Sequence, residues 1–125
     1  MASFKELVEL MAYMRGPSGC PWDREQTISD FTVHLRNESE EALQAIEKED
    51  YENLREELGD LLLHVLFISR IAEEEGLFTI QDVMDGLKDK IVRRHPHVFG
   101  DEKVASSEDV MRQWKRIKEE EKRSG

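Results

Sequence analysis

Two pairs of acidic residues lie on helical stripes that otherwise carry the side chains of a core. Glu38 and Glu41 are three residues apart, as are Glu57 and Asp60, so each pair points to one side of a helix. Their neighbours at helical spacing are apolar: Phe31, Leu35, Ala42, Ala45 and Ile46 around the first pair, and Leu54, Leu58, Leu61, Val65 and Ile68 beside the second. Carboxylates on a buried face require a cation or bound protons, and oxygen ligands from two facing helices suit magnesium, manganese or calcium. The sequence therefore predicts a divalent-cation site inside a helical bundle.

The spacing of apolar residues predicts an all-α fold of about five helices. Each expected helix carries an apolar stripe, and the five run over about 4–14, 28–47, 51–75, Thr79 to Pro96, and from Ser106 or Ser107 onward. The densest cluster of glycine and proline predicts a loop over 15–27. We expect a single domain over 1–125 whose tail, 119–125, is frayed.

The third expected helix is apolar on more than one face. Besides its core stripe it carries Leu62, Leu63, Leu66 and Phe67. A helix that is apolar all round lies at the centre of a bundle or in a subunit interface, and a chain of 125 residues offers few helices to surround it. We therefore expect a homodimer, or a higher homo-oligomer, that assembles through its helices.

The acidic composition limits the partners of the chain. A formal net charge of −10 disfavours binding to nucleic acid polymers and to anionic membranes. The longest apolar run, Leu61 to Ile68, is broken by His64 and is too short to span a bilayer. Nothing in the sequence resembles a signal peptide, and the single cysteine, Cys20, permits no internal disulfide, which fits a reducing compartment. We expect a cytoplasmic protein.

The acidic segments and several others resemble the MazG nucleoside triphosphate pyrophosphohydrolases. The stretches NESEE at 37–41 and REELGD at 55–60 are similar to the Glu-Glu-x-x-Glu…Glu-x-x-Asp signature of that family. The resemblance continues in GCPWD at 19–23 with EQT at 25–27, in RRHPHVF at 93–99, and in Trp114 with Ile117-Lys118. These segments stand in the order expected for the family and span nearly the whole chain.

The resemblance implies an all-α helical bundle with a four-helix core that forms dimers through its helices. Such a dimer holds Mg²⁺, or Mn²⁺ in its place, and cleaves nucleoside triphosphates between the α and β phosphates. The products are the monophosphate and pyrophosphate, and the expected role is house-cleaning of the nucleotide pool. Position by position, the resemblance makes Glu38, Glu41, Glu57 and Asp60 the metal ligands. A bound metal lowers the pKa of a water, and a nearby acid can accept its proton. Glu41, at the edge of its stripe and nearer solvent, is the preferred catalytic base, with Glu38 as the second candidate.

One position departs from the family pattern. The first glutamate of the acidic triplet is Asn37 in this chain. This departure keeps a second function open, that of a regulatory member that binds nucleotide and metal but turns over weakly or not at all. A di-iron carboxylate bundle is the third hypothesis, but that class uses Glu-x-x-His motifs, which the sequence lacks.

Basic and aromatic residues supply candidates for binding the nucleotide. Lys90, Arg93 and Arg94 form the strongest basic cluster of the chain. They either provide favourable charge at a helix C-terminus or contact substrate phosphates, which arginine binds through paired hydrogen bonds. The family resemblance favours phosphate binding for at least one of them, and Lys118 is a further candidate. Trp22 follows the Gly/Pro cluster and either stacks on a nucleobase or anchors the loop as a hydrophobic plug.

Overall fold

The computed structural model describes residues 1–124, and over this range the chain forms helices and no strand. Its seven α-helices are α1 (Phe4–Met14), α2 (Pro21–Glu25), α3 (Phe31–Glu47), α4 (Tyr51–Glu74), α5 (Ile80–Arg93), α6 (Pro96–Phe99) and α7 (Ser107–Ser124). The predicted all-α fold is confirmed. The chain divides into two compact units, a first unit over Met1–Ile80 and a second unit that starts at Gln81.

The five expected helices are present, and α2 and α6 are additional short helices. Each of these two begins at a proline, Pro21 in α2 and Pro96 in α6. Proline suits the first turn of a helix, because its fixed φ is already helical and it has no N–H that would go unpaired there. The two prolines that predicted a loop and a helix break therefore start short helices of their own.

The core of the first unit forms where α1 and α3 pack against α4. Its buried side chains are Met11, Phe31, Leu66, Phe67 and Ile71. Full burial of an aliphatic or aromatic side chain of this size contributes about 1.5–3 kcal/mol to folding. This apolar cluster therefore fixes the position of α3 relative to α4.

A short turn over 48–50 joins α3 to α4. The N–H of Asp50 donates to the carbonyl oxygen of Ala45 at 2.9 Å, and Glu49 takes a positive φ of 54°. The Asp50 side chain then accepts a hydrogen bond from the N–H of Asn53 at 3.2 Å, which satisfies one free donor at the start of α4. The chain thus reverses direction within three residues, and α3 and α4 form an antiparallel pair.

The turn also sets the register of the acidic residues. Glu41 lies seven residues before the 48–50 turn and Glu57 seven residues after it, and the corresponding separation is ten for Glu38 and Asp60. Because each helix rises about 1.5 Å per residue, the members of each matched pair stand at the same height above the turn. Because the helix segments between the turn and the acids are equally long in α3 and α4, the carboxylates of the two helices lie opposite one another.

In the second unit, ion pairs hold the end of α7 to the end of α5. Arg93 Nε donates to Glu121 Oε2 at 2.6 Å, and Arg94 Nη2 donates to Glu121 Oε1 at 3.0 Å. The sequence predicted a frayed tail over 119–125, whereas α7 is helical in all of the described part of that tail. The helix continues because Glu121 gains two cationic partners, a contact that apolar periodicity does not reveal. Gly125 lies outside the described residues.

Apolar side chains of α4 remain exposed in this chain. Leu58 is 54% exposed, Leu62 39%, Leu63 44% and Val65 42%. Part of this surface borders an apolar groove of about 360 Å³ between α1 and α4. An exposed apolar patch that is continuous over several residues is typical of a surface that another molecule covers. Across residues 1–124, no helix combines the length and the apolar character needed to cross a membrane.

Candidate metal centre

Three carboxylates converge across the pair formed by α3 and α4. Glu38 and Glu41 from α3 and Glu57 from α4 each offer an oxygen, and these oxygens all lie within 4.8 Å of one another. Glu38 is 9% exposed and Glu57 is 7% exposed, whereas Glu41 lies at the exposed edge of the cluster. Asp60 is half-buried, one turn beyond Glu57 along α4. Three of the four ligands expected from the family resemblance therefore form one cluster, and the fourth lies beside it.

Crowding of these acids raises the pKa of each glutamate. For Glu38, burial is the main cause, and the charges of Asp60 and Glu41 raise its pKa further, while hydrogen bonding with Glu57 opposes the shift. Hydrogen bonding with Glu57 and the negative charge of Glu57 raise the pKa of Glu41. Hydrogen bonding with Glu38 is also the main cause of the raised pKa of Glu57, to which burial adds. The cluster therefore resists losing its protons unless a cation offsets the negative charges.

The donor set fits a hard divalent cation. When the cluster is ionised, Oε1 of Glu38 and Oε2 of Glu57 are buried, and no donor within residues 1–124 reaches either oxygen. Nor does any arginine or lysine in that range form an ion pair with Glu38, Glu41 or Glu57. A structural network of acids and arginines therefore does not account for these side chains. Carboxylate oxygens alone, without nitrogen or sulfur ligands, are the set that Mg²⁺ and Mn²⁺ prefer.

A cavity of about 130 Å³ opens beside the carboxylates, on the side of the 48–50 turn. Glu41 and Glu57 form one wall, and the rest of the lining is polar apart from Ala45, with Lys48 and Asn53 among its members. The exposed Glu41 carboxylate is therefore open to water on this side. An acid with a raised pKa at the border of a solvent-filled cavity is in a suitable place to accept a proton.

On the opposite side of the carboxylates, two histidines lie one helical turn away. His34 precedes Glu38 by four residues, and His64 follows Asp60 by four. Their ring centroids are 6.5 Å apart, and both rings pack against Phe31, at 5.4 Å and 5.5 Å. Burial lowers the pKa of His64, with the nearby His34 adding to the effect, and its Nδ1 is buried without a hydrogen-bond partner. The imidazole of His64 therefore packs against Phe31, and its burial favours the neutral form.

Trp22 lies at the border of these rings. Its ring centroid is 5.8 Å from that of His34 and 6.4 Å from that of Phe67, yet the residue is 52% exposed. One side of the indole thus anchors α2 to the core while another side is open to solvent. Both sequence interpretations, a hydrophobic plug and a stacking surface, are compatible with this position.

The four basic residues predicted to contact phosphate all lie in the second unit. Lys90 and Lys118 are exposed, on α5 and α7. Arg93 and Arg94 are already paired with Glu121, and hydrogen bonds from Arg94 and then Arg93 lower the pKa of that carboxyl to about 2. A phosphate that binds either arginine therefore competes with an internal carboxylate.

Sequence reasoning missed Arg15 and His34. Arg15 is buried, with a side chain 7% exposed, and it pairs with Glu74 at 2.8 Å. Its position at the edge of a Gly/Pro cluster was a weak signal, because an arginine there has many free carbonyl oxygens within reach. His34 had a clearer signal, since a residue four before Glu38 must lie on the same face of α3.

Facing carboxylates on two antiparallel helices, without cationic partners, are an arrangement that some helical bundle proteins use to hold metal cations. Comparison with known families makes this assignment specific. Residues 26–99 match the model of the MazG nucleotide pyrophosphohydrolase domain, and this segment contains all four acids as well as both histidines. The chain belongs to this family.

Individual relatives agree with the family assignment. The chain is 43% identical over 123 residues, 98% of its length, to a nucleoside triphosphate pyrophosphohydrolase of Escherichia coli. It is 46% identical over 119 residues, 95% of its length, to the nucleoside triphosphate pyrophosphohydrolase/pyrophosphatase MazG of Thermotoga maritima. It spans 47% and 45% of those two proteins, about half of each. The crystal structure of a MazG-related protein from Thermotoga maritima superposes with a TM-score of 0.75 at 30% identity, covering 92% of this chain and 98% of that one.

Proposed function

We propose that the chain hydrolyses nucleoside triphosphates between the α and β phosphates and releases a monophosphate and pyrophosphate. The observation that carries the proposal is the cluster of Glu38, Glu41 and Glu57, whose buried oxygens lack donors inside the segment that matches the family. The two relatives that carry this activity in their names, from Escherichia coli and Thermotoga maritima, support the same reaction. Removal of unwanted nucleotides from the cytoplasmic pool is the role that we propose for it.

The acidic cluster is suited to hold Mg²⁺, or Mn²⁺ as a substitute, through Glu38, Glu41, Glu57 and Asp60. When bound, the cation neutralises phosphate charge and lowers the pKa of a water. The chain contributes a proton acceptor, for which Glu41 is the first candidate, because it is exposed, borders the cavity and has a raised pKa caused chiefly by its contact with Glu57. Glu38 is more deeply buried and is the second candidate. The attacking water loses its proton to the glutamate, its oxygen bonds to the α phosphorus, and pyrophosphate leaves with the bridging oxygen.

Nucleotide binding requires groups beyond the carboxylates. We assign phosphate contacts to the basic residues of the second unit, Lys90, Arg93, Arg94 and Lys118. Because Glu121 holds both arginines, phosphate binding there involves an exchange of partners. The exposed side of Trp22 is suited to stack on the base. Trp22 contacts His34, which lies one helical turn from Glu38 in the carboxylate cluster.

Assembly of two chains is part of the proposal. The exposed leucines and valine of α4 form a surface that a homodimer or a higher homo-oligomer would bury. Dimers formed through helices accord with what the family resemblance implies, and the acidic chain has no feature that favours a nucleic acid polymer as partner.

The experiment that tests the proposal measures pyrophosphate release from a panel of canonical and modified nucleoside triphosphates, with Mg²⁺ and with chelator. We expect metal-dependent release with the monophosphate as co-product. Glu57→Gln or Asp60→Asn should abolish release while the far-ultraviolet circular dichroism stays helical, and normal activity in either variant would refute the assignment of metal ligands. Folded wild-type protein that binds nucleotide and metal but releases no pyrophosphate would instead support the regulatory function that Asn37 keeps open.

A further inference from the structure

All three nitrogens of the Arg15 guanidinium donate hydrogen bonds, although the residue lies at the end of α1. Its Nε and Nη2 donate to the two carboxylate oxygens of Glu74, at 2.9 Å and 2.8 Å. Its Nη1 donates to the carbonyl oxygens of Asp23 and Gln26, the second at 3.2 Å. The guanidinium carbon lies 5.6 Å from the ring centroid of Phe67. One buried cation thus connects the C-terminal ends of α1 and α4 with the loop between α1 and α3.

The two carbonyl oxygens that Arg15 binds belong to Asp23, in the short helix α2, and to Gln26, the C-cap residue of that helix. That helix has five residues, Pro21–Glu25, and its N-cap residue Cys20 makes no side-chain hydrogen bond to it. Helices this short are not stable without tertiary contacts, because the cost of forming the first turn is not recovered. The position of α2 therefore depends on its contacts with the rest of the first unit. The charged hydrogen bonds among them are those from Arg15 and those that Arg24 of α2 donates to the carbonyl oxygens of Gly16 at 2.9 Å and Pro17 at 3.4 Å.

The helix α2 carries Trp22, whose ring rests against His34 and Phe67. Phe67 contacts both residues, since Arg15 lies over its ring and the Trp22 ring is nearly perpendicular to it at 6.4 Å between centroids. His34 is in turn one helical turn from Glu38. A continuous set of contacts therefore runs from Arg15, through the loop and the indole, to the border of the carboxylate cluster.

We propose that Arg15, oriented by Glu74, is a positioning residue that holds Trp22 against His34 and thereby sets the affinity of the site for the nucleoside part of its substrate. The proposal rests on the proposed function for the identity of that substrate. Lysine cannot replace arginine in this role, because Arg15 makes four hydrogen bonds from three nitrogens, whereas the three donors of an ammonium group share one nitrogen and do not match a carboxylate in pairs.

A purely structural role for Arg15 is the competing explanation, and Arg70 provides a matched control. Arg70 Nε donates to the same Glu74 carboxylate at 3.2 Å, and no loop carbonyl is among its hydrogen-bond partners within residues 1–124. Arg70→Gln thus removes one positive charge and the ion pairs to Glu74 and Glu73 without releasing the loop. Arg15→Gln also removes one positive charge, together with the two hydrogen bonds to Glu74, and in addition frees both carbonyl oxygens.

The test uses Trp114→Phe as background, so that Trp22 is the only tryptophan. Near-ultraviolet circular dichroism reports whether its indole is held in a fixed environment, and steady-state kinetics use the triphosphate that the background protein hydrolyses best. We expect Arg15→Gln to lose most of the Trp22 band and to raise KM about tenfold, within the range for loss of a base–aromatic stack, with kcat nearly unchanged. Arg70→Gln should keep both the band and KM. If Arg15→Gln does not fold, Arg15→Lys is measured in its place, and the same result is expected.

A folded Arg15 variant that keeps the Trp22 band, or whose KM is no higher than that of Arg70→Gln, would overturn the proposal. A loss of kcat at constant KM would do the same, because it indicates damage to the carboxylates rather than to nucleoside binding. The dichroism needs no turnover. Pyrophosphate release by the wild-type protein tests the proposed reaction separately, and if the background protein is inactive, the Trp22 band alone decides whether Arg15 holds the loop.

Discussion

Replacing Glu38 by glutamine should stabilise the metal-free protein and weaken its response to Mg²⁺. Burial raises the pKa of Glu38, the charges of Asp60 and Glu41 raise it further, and no donor within residues 1–124 reaches its Oε1. Folding therefore costs free energy at neutral pH, where the carboxyl group must lose its proton in unfavourable surroundings. The amide of glutamine is isosteric and neutral, and it can donate to the Glu57 carboxylate.

The expected magnitude follows from burial and from linkage. A buried polar group without a partner costs about 1–3 kcal/mol, and we take the lower end because the exposed Glu41 side of the cluster admits water. For a chain of this size about 1 kcal/mol corresponds to a rise of about 4 °C in Tm. At a Mg²⁺ concentration of about 100 Kd, the wild-type protein gains about 2.7 kcal/mol. A variant that binds the ion about tenfold more weakly gains only about 1.4 kcal/mol at the same concentration.

Thermal unfolding with and without Mg²⁺ measures both effects, and Glu40→Gln is the matched control, because Glu40 is exposed on the same helix.

The direction in which the stability gain changes with pH follows from the raised pKa of Glu38, which is caused mainly by burial. Its contribution to stability is fully present below the unfolded pKa of about 4.5 and is lost as pH rises through the folded pKa. The gain from Glu38→Gln should therefore be largest near pH 8 and vanish near pH 4. A metal-free variant no more stable than Glu40→Gln at pH 8 would refute the reasoning.

Three further predictions concern other parts of the chain. Hydrogen bonds from Arg94 and Arg93 lower the pKa of Glu121 to about 2, so its stabilising effect is present above about pH 4.5 and is lost as pH falls towards 2; urea titrations should show the difference between wild type and Glu121→Gln shrinking over that interval. Leu61→Asp, beside the exposed apolar surface of α4, should reduce the oligomer seen by sedimentation, and an unchanged mass would count against that interface. Asn37→Glu should raise the rate of pyrophosphate release if the departure from the family pattern is a defect, whereas an equal rate would show that Asn37 is sufficient.

The convergence of the acids could be predicted because it depends on local geometry. Helical period places Glu38 beside Glu41 and Glu57 beside Asp60, and a short polar turn after α3 makes an antiparallel pair the simplest connection. The family resemblance implies that the same side chains are metal ligands, which stays a prediction. In the structure, the matched acids of α3 and α4 are separated from the 48–50 turn by equal numbers of residues, and the two pairs therefore lie opposite one another.

The contacts of Arg15 could not be predicted, because they are neither periodic nor close in sequence. Its carbonyl partners are 8 and 11 residues away and its carboxylate partner is 59 residues away. Backbone carbonyl oxygens carry no sequence signal at all, so the partners of a loop-binding arginine depend on the tertiary fold. The same holds for Glu121, whose partner Arg93 is 28 residues away and whose charge alone suggested only a solvated tail.

In the α3–α4 pair, matched acids lie at equal distances along the chain from the 48–50 turn. This equality restricts where relatives of this chain can gain or lose residues. One residue inserted between Glu41 and the 48–50 turn would rotate that glutamate by about 100° around α3 and lift it by about 1.5 Å, away from Glu57. A residue inserted within the turn itself does not change the distance from the turn to the acids on either helix. Insertions and deletions among homologues should therefore accumulate in the connection and be excluded from the two seven-residue segments beside it. In an engineered variant, the connection is correspondingly the place where added sequence leaves the carboxylates in register.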